Sequence, residues 1–140
     1  MEALRIEFEP FIDEASRHFI MEGLEHNNVA RTGQAGWFPV NFVLRGEPGD
    51  VLGGLLGWVW GGWLHIDYLW VAEAARGTGH GRQLMKQAEA YAVSRGATAS
   101  TVETHSFQAR PFYERLGYEV FGTLDGWPPG HQKFFLKKTL

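Results

Sequence analysis

The stretch "VAEAARGTGHGRQLM" (71–85) sets Gly77, Gly79 and Gly81 at every second position between Arg76 and Arg82. It follows an apolar run and precedes a helical pattern. A strand that runs into a glycine turn and then a helix leaves free backbone N–H groups at the helix N-terminus, where the helix dipole adds partial positive charge. Glycine lets an anion approach the backbone with no Cβ in the way, and the two arginines can add charge-assisted hydrogen bonds. The natural guest of such a turn is a phosphate or pyrophosphate; the alternative is a turn that binds nothing.

Spacing removes the two commonest phosphate loops. A P-loop needs Lys and then Ser or Thr after its last glycine, and here Gly81 is followed by Arg82 and Gln83. The dinucleotide fingerprint needs Gly-x-Gly-x-x-Gly. Counted from Gly77 its third glycine falls on Arg82, and counted from Gly79 it falls on Leu84. Glu103 stands at the distance of a ribose-binding acid, but that fold requires parallel strands. A dinucleotide oxidoreductase is therefore disfavoured.

The elements that must position the turn follow from periodicity. "LRIEF" (4–8) alternates apolar and polar and predicts a short strand. Pro10 then opens a helix, as proline does at a first helical position. Phe11, Ala15, Phe19, Ile20 and Leu24 give that helix one apolar stripe. The segment 26–37 has no clear period and reads as a loop that could order over a ligand. Strands are expected over 40–46, 51–60 and 63–71. Pro48 and Gly49 suit the centre of the turn in "EPGD", and Gly61-Gly62 suits a tight hairpin turn.

After the glycine turn, Leu84, Met85, Ala88, Tyr91 and Ala92 form a helical stripe that ends near Gly96. Residues 97–107 read as a strand running into a loop. Residues 108–117 read as a short helix that stops at Gly117, with Pro111 tolerable only in its first turn. Residues 118–124 and 133–140 read as closing strands around "DGWPPGHQ". The order is β-α-βββ-α-β-α-ββ. The class is α+β (mixed α/β), with a central, mostly antiparallel, twisted sheet of about six or seven strands flanked by helices.

Bulk properties bound the function. A chain of 140 residues suits one domain, 1–140, with one core. The net charge of −3 and the lack of a basic stripe argue against nucleic acid as a partner. No apolar run approaches the ~20 residues of a membrane span; glycines, His65 and Asp67 interrupt the nearest one, and the start "MEALRIEFEP" does not read as a signal peptide. With no cysteine, disulfides, thiolate metal sites and a cysteine nucleophile fall away together, which is compatible with a cytoplasmic location. His18, His26, His80 and His105 share no metal-ligand spacing, and no metal is expected.

A second motif stands farther on. "RGTGHG" resembles the Arg/Gln-x-x-Gly-x-Gly/Ala signature of the GNAT superfamily of acyl-CoA-dependent N-acetyltransferases, with Arg76, Gly79 and Gly81 at its positions. "FQARPFYERLGYE" resembles that family's second motif through Ala109, Tyr113, Gly117 and Tyr118. Motif separation and element order also match. The resemblance covers about residues 40 to 140; the first ~35 match only as a strand and a helix.

The resemblance implies acetyl-CoA as co-substrate, held in a splayed strand pair. Its pyrophosphate would lie on Arg76, Gly77, Thr78, Gly79, His80, Gly81 and Arg82. Its pantetheine arm would bond the backbone of Leu69, Trp70 and Val71, with Glu103 to Ser106 as the facing wall. An acetyl carbonyl in the gap would meet a backbone N–H, a small oxyanion hole. Ser106 stands where the family often has Asn, and its reach is shorter. Tyr113 takes the place of the family's usual general acid for the thiolate, and a phenol with pKa near ~10 carries the proton that role needs.

The amine must also lose a proton, because a lysine-like ammonium titrates near ~10.4. His65 and Asp67 share one face of their strand by alternation. His65 takes the place where some members carry a catalytic glutamate, and imidazole can accept a proton near neutral pH. Asp67 could orient it, bind the ammonium or relay through water. Glu103 is a third candidate, and many members use water chains instead.

The function implied is transfer of an acetyl group to a primary amine of a small molecule or peptide. A non-catalytic acyl-CoA-binding or sensor module of the same fold is the rival. Trp37, Trp58, Trp60 and Trp127 could wall an apolar or aromatic acceptor, with the stiff "WPPGH" loop and His131 beside it. Exposed strand edges would let two copies pair as a homodimer.

Overall fold

Gly61 and Gly62 both take positive φ, 60° and 86°, and close a tight hairpin between β2 (Val51–Trp60) and β3 (Trp63–Val71). Those strand bounds are the ones expected from the sequence. The computed structural model describes residues 3–34, 36–47 and 49–140. The chain divides into two units, Met1–Ala35 and Gly36–Leu140.

The first unit carries α1 (Glu14–Thr32). Three sequence expectations are corrected here. Residues 4–8 form no strand. A strand needs a partner for its backbone groups, and the described residues of this unit supply only a helix. Pro10 does not begin the helix; Asp13 caps it, its Oδ1 accepting the Ser16 N–H at 2.8 Å. The helix then runs on through residues 26–32, expected as loop. It stops at Gly33 (φ 69°), whose N–H bonds Val29 O at 2.8 Å.

The second unit holds β1 (Phe38–Arg45), β2, β3, a single 3-10 turn (Glu73–Ala75), α2 (His80–Ser94), β4 (Ala99–His105), α3 (Arg110–Arg115), β5 (Glu119–Asp125) and β6 (Gln132–Thr139). Without the expected leading strand the order is α-βββ-α-β-α-ββ. The six strands form one sheet in the order β1-β2-β3-β4-β6-β5. Every neighbouring pair is antiparallel except β3 and β4, which are parallel and joined through α2. The turn after β1 is closed by the Gly49 N–H on Gly46 O at 2.7 Å; the role expected of Pro48 lies outside the described residues.

One face of the sheet carries the core. Val40, Leu55, Leu64, Val102 and Leu136 sit there against Met85 and Ala88 of α2, all buried. The core face of β3 changes phase along the strand. Leu64 and Ile66 are buried, and then Leu69 and Val71 continue the same face. The cause is a bulge: Leu56 pairs with Tyr68 and Gly57 with Ile66, so Asp67 is the extra residue. Just beyond it β3 and β4 part. Their pairing runs from Trp63–Ala99 to Ile66–Val102 and goes no farther, although β3 continues to Val71 and β4 to His105.

Candidate functional site

The parting of β3 and β4 opens a gap directly before the glycine turn. The Ala72 N–H bonds Leu52 O across to β2. Backbone groups alternate sides along a strand, so Trp70 also points its N–H and C=O at β2. Leu69 and Val71 turn theirs toward the gap. Of the three residues expected to offer backbone bonds there, Leu69 and Val71 face the gap, Val71 with its N–H only because its carbonyl is taken, and Trp70 belongs to the β2 ladder. Arg76 Nε donates to Val71 O at 2.7 Å, tying the turn to the strand end.

The turn itself leaves backbone open. Gly77 and Gly79 have φ 82° and 84°, and a Cβ on either would meet nothing within 4 Å. Gly79 caps α2 with no side-chain hydrogen bond, and the first helical bond is the Gln83 N–H on Gly79 O. The amides of His80, Gly81 and Arg82 therefore open the helix without acceptors among the described residues, which with the dipole suits an anion. Thr78 Oγ1 and His80 Nδ1 lie 2.9 Å apart and both reach Ala75 O, so these two side chains brace the turn from within.

α3 abuts this turn. A Cβ on Gly81 would stand 3.4 Å from the Phe112 ring, and a depression of about 620 Å³ is lined by Gly77, Gly79, Gly81, Arg82, Phe112 and Arg115, with Leu116. Phe112 and Arg115 were not foreseen as site residues. Only the packing of α3 on α2 brings them in, and Arg115 adds a second cation to Arg82.

Tyr113 lies between two rings. It stacks on Phe112, centroids 5.1 Å apart, and meets Tyr118 edge-on at 6.0 Å. It is 6% exposed. Burial alone pushes its phenol up to about 12, because the charged form loses most hydration there. No buried side-chain oxygen or nitrogen lacks a partner among the described residues. Raised that far, the phenol is protonated at neutral pH.

His65 and Asp67 meet as alternation predicted. His65 Nδ1 is 2.7 Å from Asp67 Oδ1, and the ring stacks on Trp58 at 4.9 Å. A proton on Nδ1 donated to the carboxylate leaves Nε2 as an acceptor. Glu103 differs: Lys133 Nζ stands 2.9 Å from its Oε2, and only the β4–β6 pairing reveals that partner. Thr104 faces the core and accepts the Ala109 N–H at 3.2 Å.

Ser106 is engaged with the β5–β6 loop. Its Oγ accepts the Gln132 N–H at 3.0 Å and lies 3.2 Å from His131 Nδ1. His105, Phe107, Trp127 and His131 form a chain of ring contacts at this end of β4. Among the described residues no group of three or more His, Asp or Glu could hold a metal ion, and no helix is long and apolar enough to cross a membrane.

Comparison with known proteins bears on this geometry. The sequence profile of the acetyltransferase (GNAT) family matches residues 2–118. The blasticidin-S acetyltransferase of Streptomyces morookaense is 46% identical over 96 residues, covering 68% of this chain and 71% of that one. A crystal structure of a candidate acetyltransferase from Agrobacterium tumefaciens superposes with a TM-score of 0.91 at 30% identity, covering 98% of this chain and 100% of the other. A nourseothricin acetyltransferase structure gives a TM-score of 0.64 at 29% identity, covering 72% and 65%.

Proposed function

Because the chain belongs to the acetyltransferase (GNAT) family, we propose that it moves an acetyl group from acetyl-CoA to a primary amine of a small molecule or peptide. The observation that carries this reading is the shared depression between the uncapped start of α2 and α3, the helix that bears Tyr113. The residues present fit the co-substrate. Open glycine amides with Arg82 and Arg115 suit a pyrophosphate, and the amides of Leu69 and Val71 face the gap where a pantetheine arm would lie.

The chemistry assigned is direct attack. The free amine adds to the thioester carbonyl, the C–S bond breaks, and the thiolate leaves. His65 Nε2, held in tautomer by Asp67, takes the ammonium proton. Tyr113 gives its proton to the departing sulfur. A backbone N–H in the β3 gap would stabilise the oxyanion. Glu103 is the weaker base because Lys133 already pairs with it.

The acceptor is drawn from the names of similar proteins. Blasticidin-S and nourseothricin acetyltransferases act, by those names, on antibiotics, so amine-bearing antibiotics head the acceptor class. The test is thiol release from acetyl-CoA with blasticidin S and a panel of polyamines, amino sugars and peptides. Amine-dependent release supports the reading. CoA binding without turnover on any amine would favour an acyl-CoA sensor.

A further inference from the structure

The interior holds a polar cluster that the proposed reaction does not use. Tyr118 is 3% exposed and sits among Glu89 of α2, Ser100 of β4 and Lys138 of β6. Its hydroxyl donates to Glu89 Oε2 at 2.7 Å and accepts from Ser100 Oγ at 2.8 Å. Lys138 Nζ donates to Glu89 Oε1 at 2.9 Å. Every member is satisfied.

A phenylalanine and apolar neighbours would fill this space without desolvating a carboxylate and an ammonium. What the polar set adds is direction, since a satisfied buried network has few alternative geometries. Its position gives that direction a use. Glu89 lies on α2, whose first turn is the glycine turn. Tyr118 follows α3, donates its N–H to Tyr113 O at 3.1 Å, and presents its ring to the Tyr113 ring. The network therefore joins the helix that begins at the glycine turn to the segment that carries the phenol.

We propose that Tyr118, held by Glu89, is a positioning residue that fixes the Tyr113 hydroxyl relative to the glycine turn. This rests on Tyr113 being the proton donor to sulfur. Without the lock α3 still packs, but the phenol no longer has one place, and small misplacements of a reacting group are enough to lose its contribution.

The test needs no acceptor. CoA and desulfo-CoA differ only at the sulfur, so their affinity ratio reads the Tyr113–sulfur contact. Calorimetric titrations at pH 9, where a substantial fraction of an alkyl thiol is thiolate, compare the wild type, Tyr113→Phe, Tyr118→Phe and the double variant. The wild type should prefer CoA by roughly ten-fold, the scale of one hydrogen bond to a charged group. Tyr113→Phe should abolish the preference. Tyr118→Phe should lose most of it with desulfo-CoA affinity unchanged, and the double variant should be no worse than Tyr113→Phe.

If Tyr113→Phe keeps the preference, the donor assignment fails and the positioning role falls with it. If Tyr113→Phe loses it but Tyr118→Phe keeps it, the donor stands and the positioning role is overturned. If Tyr118→Phe weakens both ligands equally, Tyr118 is structural only, which also overturns the proposal. Glu89→Gln preserves shape and serves if Tyr118→Phe does not fold, with the same pattern expected.

Discussion

The ring of His65 donates toward Asp67 across 2.7 Å, on a strand whose bulge places Asp67 opposite no residue of β2. The bulge frees the carboxylate from the regular register just where β3 leaves β4. The pair therefore stands at the mouth of the gap, with the imidazole steadied by Trp58.

Asp67→Asn keeps the volume but removes the acceptor that fixes the His65 tautomer. Steady-state kinetics should show kcat/KM for the amine falling on the order of 10- to 100-fold, with KM for acetyl-CoA little changed. His65→Gln should fall at least as far, and the double variant should add little. Unchanged rates in both would leave water or Glu103 as the base.

Tyr113→Phe removes one hydroxyl from a well-packed ring. The expected result is a kcat loss of roughly 100-fold with a melting temperature close to the wild type. Because the phenol is pushed up to about 12, it stays protonated throughout the assay range. The wild-type pH–rate profile should therefore carry no alkaline limb that disappears in Tyr113→Phe.

The same shift has a stability consequence. The phenol binds its proton more tightly folded, at about 12, than unfolded, near 10. Between these values the folded chain holds the proton and the unfolded chain has lost it, so stability falls as pH rises. Denaturant titrations from pH 9 to 11.5 should show the wild type losing up to roughly 1.4 kcal/mol per pH unit more than Tyr113→Phe. Equal slopes would show that the phenol is not desolvated.

Much of the fold is readable in the sequence. Gly61-Gly62 named the hairpin because both positions need positive φ, and the apolar runs on either side gave β2 and β3 their bounds. Residues 4–8 alternate without forming a strand, because alternation describes a strand only if a partner exists, and none lies among the described residues of their unit. The Asp67 bulge was written as a phase slip, Leu64 and Ile66 against Leu69 and Val71, that strict alternation passes over. Tyr118–Glu89, Glu103–Lys133 and Ser106–His131 join residues far apart in sequence, so only the fold brings them together.

Gly57 packs against the bulge. A Cβ there would clash with the His65 carbonyl oxygen, a backbone atom that cannot swing aside. Gly57→Ala should lower stability by roughly 1–3 kcal/mol in denaturant titration. It should also reduce turnover beyond what Asp67→Asn does alone, because the strand that carries both site residues must move.

Acetyl transfer to nitrogen is read by following the acetyl group itself. The protein is incubated with isotope-labelled acetyl-CoA and blasticidin S, then with the wider amine panel, and products are read by mass spectrometry with fragmentation. The expected result is one labelled acetyl group on an amine nitrogen, formed with wild-type protein and at least roughly 100-fold more slowly with Tyr113→Phe. Label that stays on CoA across the whole panel, while CoA binds, would rule out acetyl transfer to an amine by this protein.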